Sequence, residues 1–163
     1  RVALRNLTVS PGAERLAPAA RGLLGLELPI RLLGAHNAAN ALGVALFAAS
    51  TGGSPEGIRR ALATFPGVGR RMEVRYERGG ITILDDYGHH PTAIDATIST
   101  VRLRYPGRPL VLAIEPLTYH RTAALLEPIA HSCAAADRVF VADIFAVRDT
   151  DLTITSSAAL AAG

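Results

Sequence analysis

Ile81-Thr82-Ile83-Leu84-Asp85-Asp86-Tyr87-Gly88-His89-His90-Pro91-Thr92 is the stretch on which the fold turns. Its first four residues form an apolar, β-branched run, short enough for a strand and too short for a helix. The run reads as a buried strand. Two carboxylates, a phenol, a glycine and two imidazoles then fall within six residues, Asp85 to His90. Pro91 suits the first position of a helix, where its missing N–H has no intrahelical partner to lose. The stretch is therefore strand, polar turn and helix start. Open α/β sheets bind ligands beyond the carboxyl ends of their strands. A structural turn calls for one Asp and one Gly; the other polar groups mark a candidate site.

Working outward, the pattern repeats. A strand from Met72 to Tyr76 and a turn at Gly79-Gly80 precede the stretch and make a hairpin with it. Downstream come a helix from Pro91 to about Leu103, a strand from Leu110 to Ile114 and a helix from about Arg121 to Ala134. A strand from Val139 to Ala142 follows, and Ser156 caps a last helix. Strands alternating with helices imply a parallel, three-layer α/β domain. Upstream, residues 1–33 carry short apolar segments around Val2 to Val9 and Leu23 to Leu33, broken by Pro11, Pro18 and Pro29. They read as strands and loops at the edge of a further domain. His36 to Ala49 is helical, and Ser54-Pro55-Glu56 opens a second helix that ends near Thr64. Phe65-Pro66-Gly67-Val68-Gly69 is the expected linker, dividing the chain into 1–67 and 68–163.

The chain has 163 residues, 49% of them hydrophobic, which suits one domain with part of another. No apolar run is long enough to span a membrane and no signal-peptide pattern opens the sequence. Cys133 stands alone and is expected to pack a helix. A cytoplasmic location fits. The net charge is +3, and every basic residue except histidine is an arginine. The arginines are scattered, without a basic stripe or interleaved aromatics, so nucleic acid is not an expected partner. With no lysine, these residues contain no Gly-Lys-Ser/Thr phosphate loop. The opening Arg1 and the alanine-rich close lead us to expect a segment of a larger protein.

Five segments can carry chemistry. In Gly34-Ala35-His36-Asn37-Ala38-Ala39-Asn40, Asn37 and Asn40 share a helix face. Their amides can pair with the edge of adenine, although alone they read first as helix-start residues. Arg70-Arg71 at the linker can reach a phosphate between domains. In the acid and histidine turn, His89 can orient a carboxylate, and Asp86 can position a cationic group or hold Arg71. Adjacent histidines in such a turn do not converge on one ion, so no metal site is expected there. Glu115-Pro116-Leu117-Thr118-Tyr119-His120-Arg121-Thr122 also follows a strand, and Arg121 can clamp a carboxylate. Ala142 to Asp149 follows a third strand.

Taken in order, these segments resemble the Mur ligases, the ATP-dependent amino-acid ligases of peptidoglycan synthesis. The resemblance covers roughly residues 22–150 and is most specific over Asp85 to Thr92. It implies a Rossmann-like C-terminal domain with a mostly parallel sheet, preceded by the tail of a central ATPase domain. The implied activity joins L-alanine to UDP-N-acetylmuramate through an acyl phosphate, with ATP and Mg2+. The magnesium ligands are expected mainly upstream, and the missing parts of the parent chain are expected partners. Carried over, Asn37 and Asn40 contact adenine. Arg71, Asp86 and His89 are catalytic, with Arg71 also on ATP. Tyr87, His89 and Arg121 take the amino acid. Glu115 and Leu117 stand where the family usually has Gln and His, and Thr118 where some members have Arg. Two alternatives stay open. One is the related ligase that adds a tripeptide to the same sugar acid, which commonly carries Glu-Pro at the fourth segment. The other is a non-catalytic binding module that kept the fold.

Overall fold

The computed structural model describes residues 2–4, 23 and 27–163. The chain falls into two compact units, Arg1–Val68 and Gly69–Gly163.

In the first unit, strand β1 (Val2–Leu4) pairs antiparallel with β2 (Leu28–Ile30). Helices α1 (Ala35–Ser50) and α2 (Pro55–Thr64) follow. The expected breaks at Pro11 and Pro18 lie outside the described residues. Helix α2 begins as its sequence dictates: the Ser54 hydroxyl accepts from the Gly57 N–H at 3.1 Å, Pro55 takes the first position, and Glu56 faces the positive helix end. Leu23, Leu28, Ala45, Ala49 and Ile58 form a small buried core. On the far side of α1, Val44 and Phe47 are exposed.

The second unit opens with the hairpin β3 (Glu73–Arg78) and β4 (Ile81–Asp85). Gly79 and Gly80 turn it with φ of 59° and 77°, the left-handed pair that a two-residue hairpin loop requires. A register shift between Val74 and Tyr76 bulges β3. Helix α3 (Pro91–Arg104), strand β5 (Val111–Ile114), helices α4 (Tyr119–Ala124) and α5 (Leu126–Cys133), strand β6 (Arg138–Val141) and helix α6 (Ser157–Ala162) complete the unit. Strands β5 and β6 pair in parallel, Val111 with Arg138 through Ile114 with Val141. Ile94 and Ile98 of α3, Ile114 of β5, Ile129 and Cys133 of α5, and Leu160 of α6 make the core.

Three sequence expectations meet a more detailed structure. The α/β alternation and the parallel pairing of β5 with β6 are present. The described strands, however, pair two by two, and β4 has its ladder with β3 alone. Strand β4 is not buried as expected: Ile81 is 60% and Ile83 52% exposed, because β4 pairs with β3 alone and its residues border an open cavity. The helix expected from Arg121 to Ala134 is two helices meeting at Leu125, whose φ and ψ of −120° and 20° leave the helical range. Pro128 explains the break, since its ring excludes the carbonyl four residues earlier and its nitrogen has no hydrogen to give.

Candidate active site

β4 and β5 flank a cavity of about 1040 Å³ floored by α3. Its rim carries Asp85, Asp86, Tyr87 and His89 from the end of β4, with Glu115 and Phe145 from the segments after β5 and β6. Arg108 ties the opposite ends together, its guanidinium donating to the Thr82 hydroxyl at 3.0 Å and to the Gly80 carbonyl. Polar tips from the ends of β4 and β5 therefore meet at one opening, and the segment after β6 adds only the apolar Phe145.

Asp86 organises that opening. One carboxylate oxygen accepts from the Gly88 N–H at 2.8 Å, closing the turn onto itself. The other accepts from the Met72 N–H at 2.9 Å, across the hairpin. The Tyr87 N–H donates to the Arg70 carbonyl at 2.9 Å beside it. Arg70 and Met72 have φ of 55° and 52°, a region that side-chain-bearing residues seldom occupy. The Asp86 and Tyr87 bonds hold them there. Glu73 assists by accepting from the Arg70 N–H at 2.9 Å, and that bond, with Arg75 beside it, lowers its pKa.

The partner expected for Asp86 is corrected here. Asp86 does not hold the Arg71 side chain; its oxygens are taken by backbone amides. Arg70 instead lies 3.6 Å from Asp85. Arg70 and Arg71 stack over the Tyr87 ring at 5.0 and 5.8 Å from its centroid. The Tyr87 ring meets His89 edge-on at 5.2 Å. His89 Nδ1 donates to the Tyr87 carbonyl at 2.9 Å, leaving Nε2 free for a ligand. The turn thus presents two guanidiniums, a phenol and an oriented imidazole, a set suited to an anion. His90 does something else: its ring accepts from the Thr92 N–H and caps α3 ahead of Pro91.

Of the remaining expected site residues, Arg121 is exposed at the head of α4 and is not among the residues lining the cavity. Asn37 and Asn40 lie on α1 in the first unit. The Asn37 amide donates to the Leu33 carbonyl at 2.7 Å, so part of its hydrogen-bonding capacity serves the helix start. Asn40 is exposed. Asp149 closes the fifth candidate segment, but its partner was not legible in the sequence. It lies 29 positions from His120 in sequence, yet its carboxylate reaches the His120 ring at 2.8 Å. Only the pairing of loops after β5 and β6 reveals it. Among the described residues, no three His, Cys, Asp or Glu side chains are grouped to hold a metal ion.

The match to known proteins agrees with this layout. Residues 70–162 match the family model for the Mur ligase glutamate ligase domain. The UDP-N-acetylmuramate–L-alanine ligase of Acidithiobacillus ferrooxidans is 47% identical over 137 residues, 83% of this chain and 29% of that protein. The enzyme of the same name from Roseiflexus castenholzii is 39% identical over 132 residues, 81% of this chain and 28% of its own length. Among solved structures, the UDP-N-acetylmuramate–alanine ligase of Thermotoga maritima superimposes with a TM-score of 0.64 at 28% identity, covering 74% of this chain and 26% of that one. A murein peptide ligase from Psychrobacter arcticus gives 0.55 at 30% identity, covering 71% and 24%. The chain thus spans under a third of the length of these relatives.

Proposed function

The chain belongs to the Mur ligase family, and on that premise we propose that it serves an ATP-dependent ligase joining L-alanine to UDP-N-acetylmuramate. The carrying observation is the 47% identity over 137 residues to a ligase of that name. Residues 1–67 are then the tail of a central ATP-binding domain, and 68–163 are much of the domain that brings the amino acid. The muramate carboxylate is activated as an acyl phosphate, and the alanine amine displaces phosphate to form the amide. Such chemistry relies on positioning and on neutralising charge.

In this reading Arg71 stabilises phosphate, while Asp86 holds the Arg70–Met72 segment in place beside it. Tyr87, His89 and Arg121 receive the amino acid, whose carboxylate suits a guanidinium and an imidazole donor. Asn40, with a free amide, is the better adenine contact, and Asn37 supplies what its bond to Leu33 leaves. Magnesium would neutralise the phosphates, but the carboxylates of this segment do not fit it. Both Asp86 oxygens accept amide hydrogens, and no triad of donors forms among the described residues. Its ligands are assigned upstream. No helix among the described residues is long and apolar enough to cross a membrane, and a cytoplasmic enzyme acting on soluble precursors is consistent with that.

One feature favours a second reading. Glu115 lines the cavity, and Glu-Pro at this place resembles the ligase that adds a tripeptide to the same sugar acid. Tyr119 and Arg121 favour the alanine enzyme. The test is ADP release by the full-length protein with ATP and UDP-N-acetylmuramate, offering L-alanine or the tripeptide. Turnover that requires L-alanine supports the first reading, and turnover with the tripeptide alone replaces it. Absence of turnover with either leaves the binding module.

A further inference from the structure

Thr118 is strained. It is β-branched, yet its φ of 62° lies in the left-handed region. Such a conformation persists only where its surroundings over-determine it. The surroundings here come from the segment after β6. The Thr118 N–H donates to the Phe145 carbonyl at 3.1 Å, and the Phe145 N–H donates to the Pro116 carbonyl at 2.9 Å. Leu117 and Phe145 form a parallel bridge. Asp149 then closes the arrangement. Its side chain is only 6% exposed. One oxygen accepts from the Tyr119 N–H at 2.8 Å, and the other accepts from the His120 N–H at 3.4 Å and from His120 Nδ1 at 2.8 Å. These bonds, the His120 ring first, hold its carboxyl below the ordinary range.

The first amides of α4 are therefore already occupied by a carboxylate of the chain itself. They are not vacant for a substrate anion. Any substrate carboxylate near this turn must be taken by a side chain, and Arg121 is the candidate. Its guanidinium makes no hydrogen bond or ion pair with a described residue. We propose that Asp149 is a positioning residue: by seating Thr118 to His120 in one strained geometry, it sets the direction from which Arg121 meets the amino acid. His120 serves as the second arm of that latch, its Nδ1 turned inward. This rests on the assignment of Arg121 above.

The test is a double-mutant cycle in the full-length ligase, with an exchange measurement beside it. Asp149→Ala is expected to raise the KM for L-alanine about tenfold, the loss typical of a hydrogen-bonded charged group, with the KM for ATP unchanged. In an Arg121→Ala background the same change should add almost nothing, because residues acting as one unit are not additive. Asp149→Asn, nearly isosteric, guards against a folding defect and should move the KM in the same direction. Amide exchange at Tyr119 and His120 should quicken in both variants while the β5–β6 amides stay protected. Equal effects of Asp149→Ala in both backgrounds would overturn the proposal, as would an unchanged alanine KM. If Arg121→Ala alone leaves that KM unchanged, the assignment of Arg121 falls and this proposal with it. If Arg121→Ala behaves as expected and Asp149→Ala does not, only the present inference fails.

Discussion

Single residues in this chain divide between those whose polar groups are already engaged and those left free. Asp86, His90 and Asp149 are engaged by backbone amides, and Asn37 is partly so. Asn40 and the Nε2 of His89 are free to meet a ligand. The division yields a kinetic expectation for the full-length protein. Asn40→Ala should raise the KM for ATP and leave that for L-alanine nearly unchanged. The loss of one adenine hydrogen bond should cost about 1–3 kcal/mol. Steady-state kinetics with each substrate varied in turn decide this, and an ATP constant that does not move returns Asn40 to a helix surface. Cys133 belongs to neither group. It is 4% exposed, and burial pushes its thiol up from its ordinary range. Since the thiolate is the reactive form, Cys133 should resist a thiol reagent in the native chain and react once denaturant is added. Rapid labelling without denaturant would contradict its place in the core.

At the scale of elements, the second unit is tied at one end by a polar staple. Asp137, at the start of β6, accepts from the Leu110 N–H at 2.6 Å and from Arg102 at 3.1 Å. Arg102 also donates to the Ala135 carbonyl at 3.1 Å and to the Arg108 carbonyl at 3.2 Å. The end of α3 and the entries to β5 and β6 thus share one guanidinium and one carboxylate. The Arg102 bond first, then the Leu110 amide, lowers the Asp137 pKa. A carboxyl whose folded pKa is depressed stabilises the fold above its unfolded value, about 3.9 for Asp. That stabilisation is lost as the pH falls through the lower, folded value. Asp137→Asn should therefore lower the Tm at neutral pH, and the gap from wild type should close on acidification. A gap that persists in acid would assign the loss to geometry instead of charge. Much at this scale was legible beforehand. The hairpin followed from Gly79-Gly80, the start of α2 from Ser54-Pro55, and the polar side of the cavity from the run after Ile81-Thr82-Ile83-Leu84. What escaped was set by contacts distant in sequence or by one misweighted residue. Asp149 reaches His120 through loop pairing that no local spacing encodes. Pro128 carried the break at Leu125, but the expected helix ran from Arg121 to Ala134 through it. Ile81 and Ile83 are apolar, so composition alone marked them as buried, but they border the open cavity in a strand that pairs, among the described strands, only with β3.

Across the whole molecule, the decisive property is which chemistry the residues can and cannot assemble. The Arg70 guanidinium, the His89 imidazole and the Tyr87 phenol gather at one opening in the second unit, and the chain has no lysine. A phosphate loop needs a lysine to reach the terminal phosphates and a hydroxyl to hold magnesium. No such pair exists in these 163 residues, and no metal cluster forms among the described ones. In the proposed function these units orient the amino acid and contact the nucleotide base, and the phosphate loop is supplied by the rest of the ligase. The 163-residue chain, purified by itself, should therefore release no ADP above a protein-free blank. That should hold with ATP, magnesium, UDP-N-acetylmuramate and L-alanine all present. The same mixture with the full-length protein is the positive control. ADP release by the isolated chain that survives repurification, and that is reduced by Arg71→Ala, would mean that arginine here replaces the lysine of the phosphate loop. In that case the division of labour proposed between this segment and the rest of the ligase would be wrong.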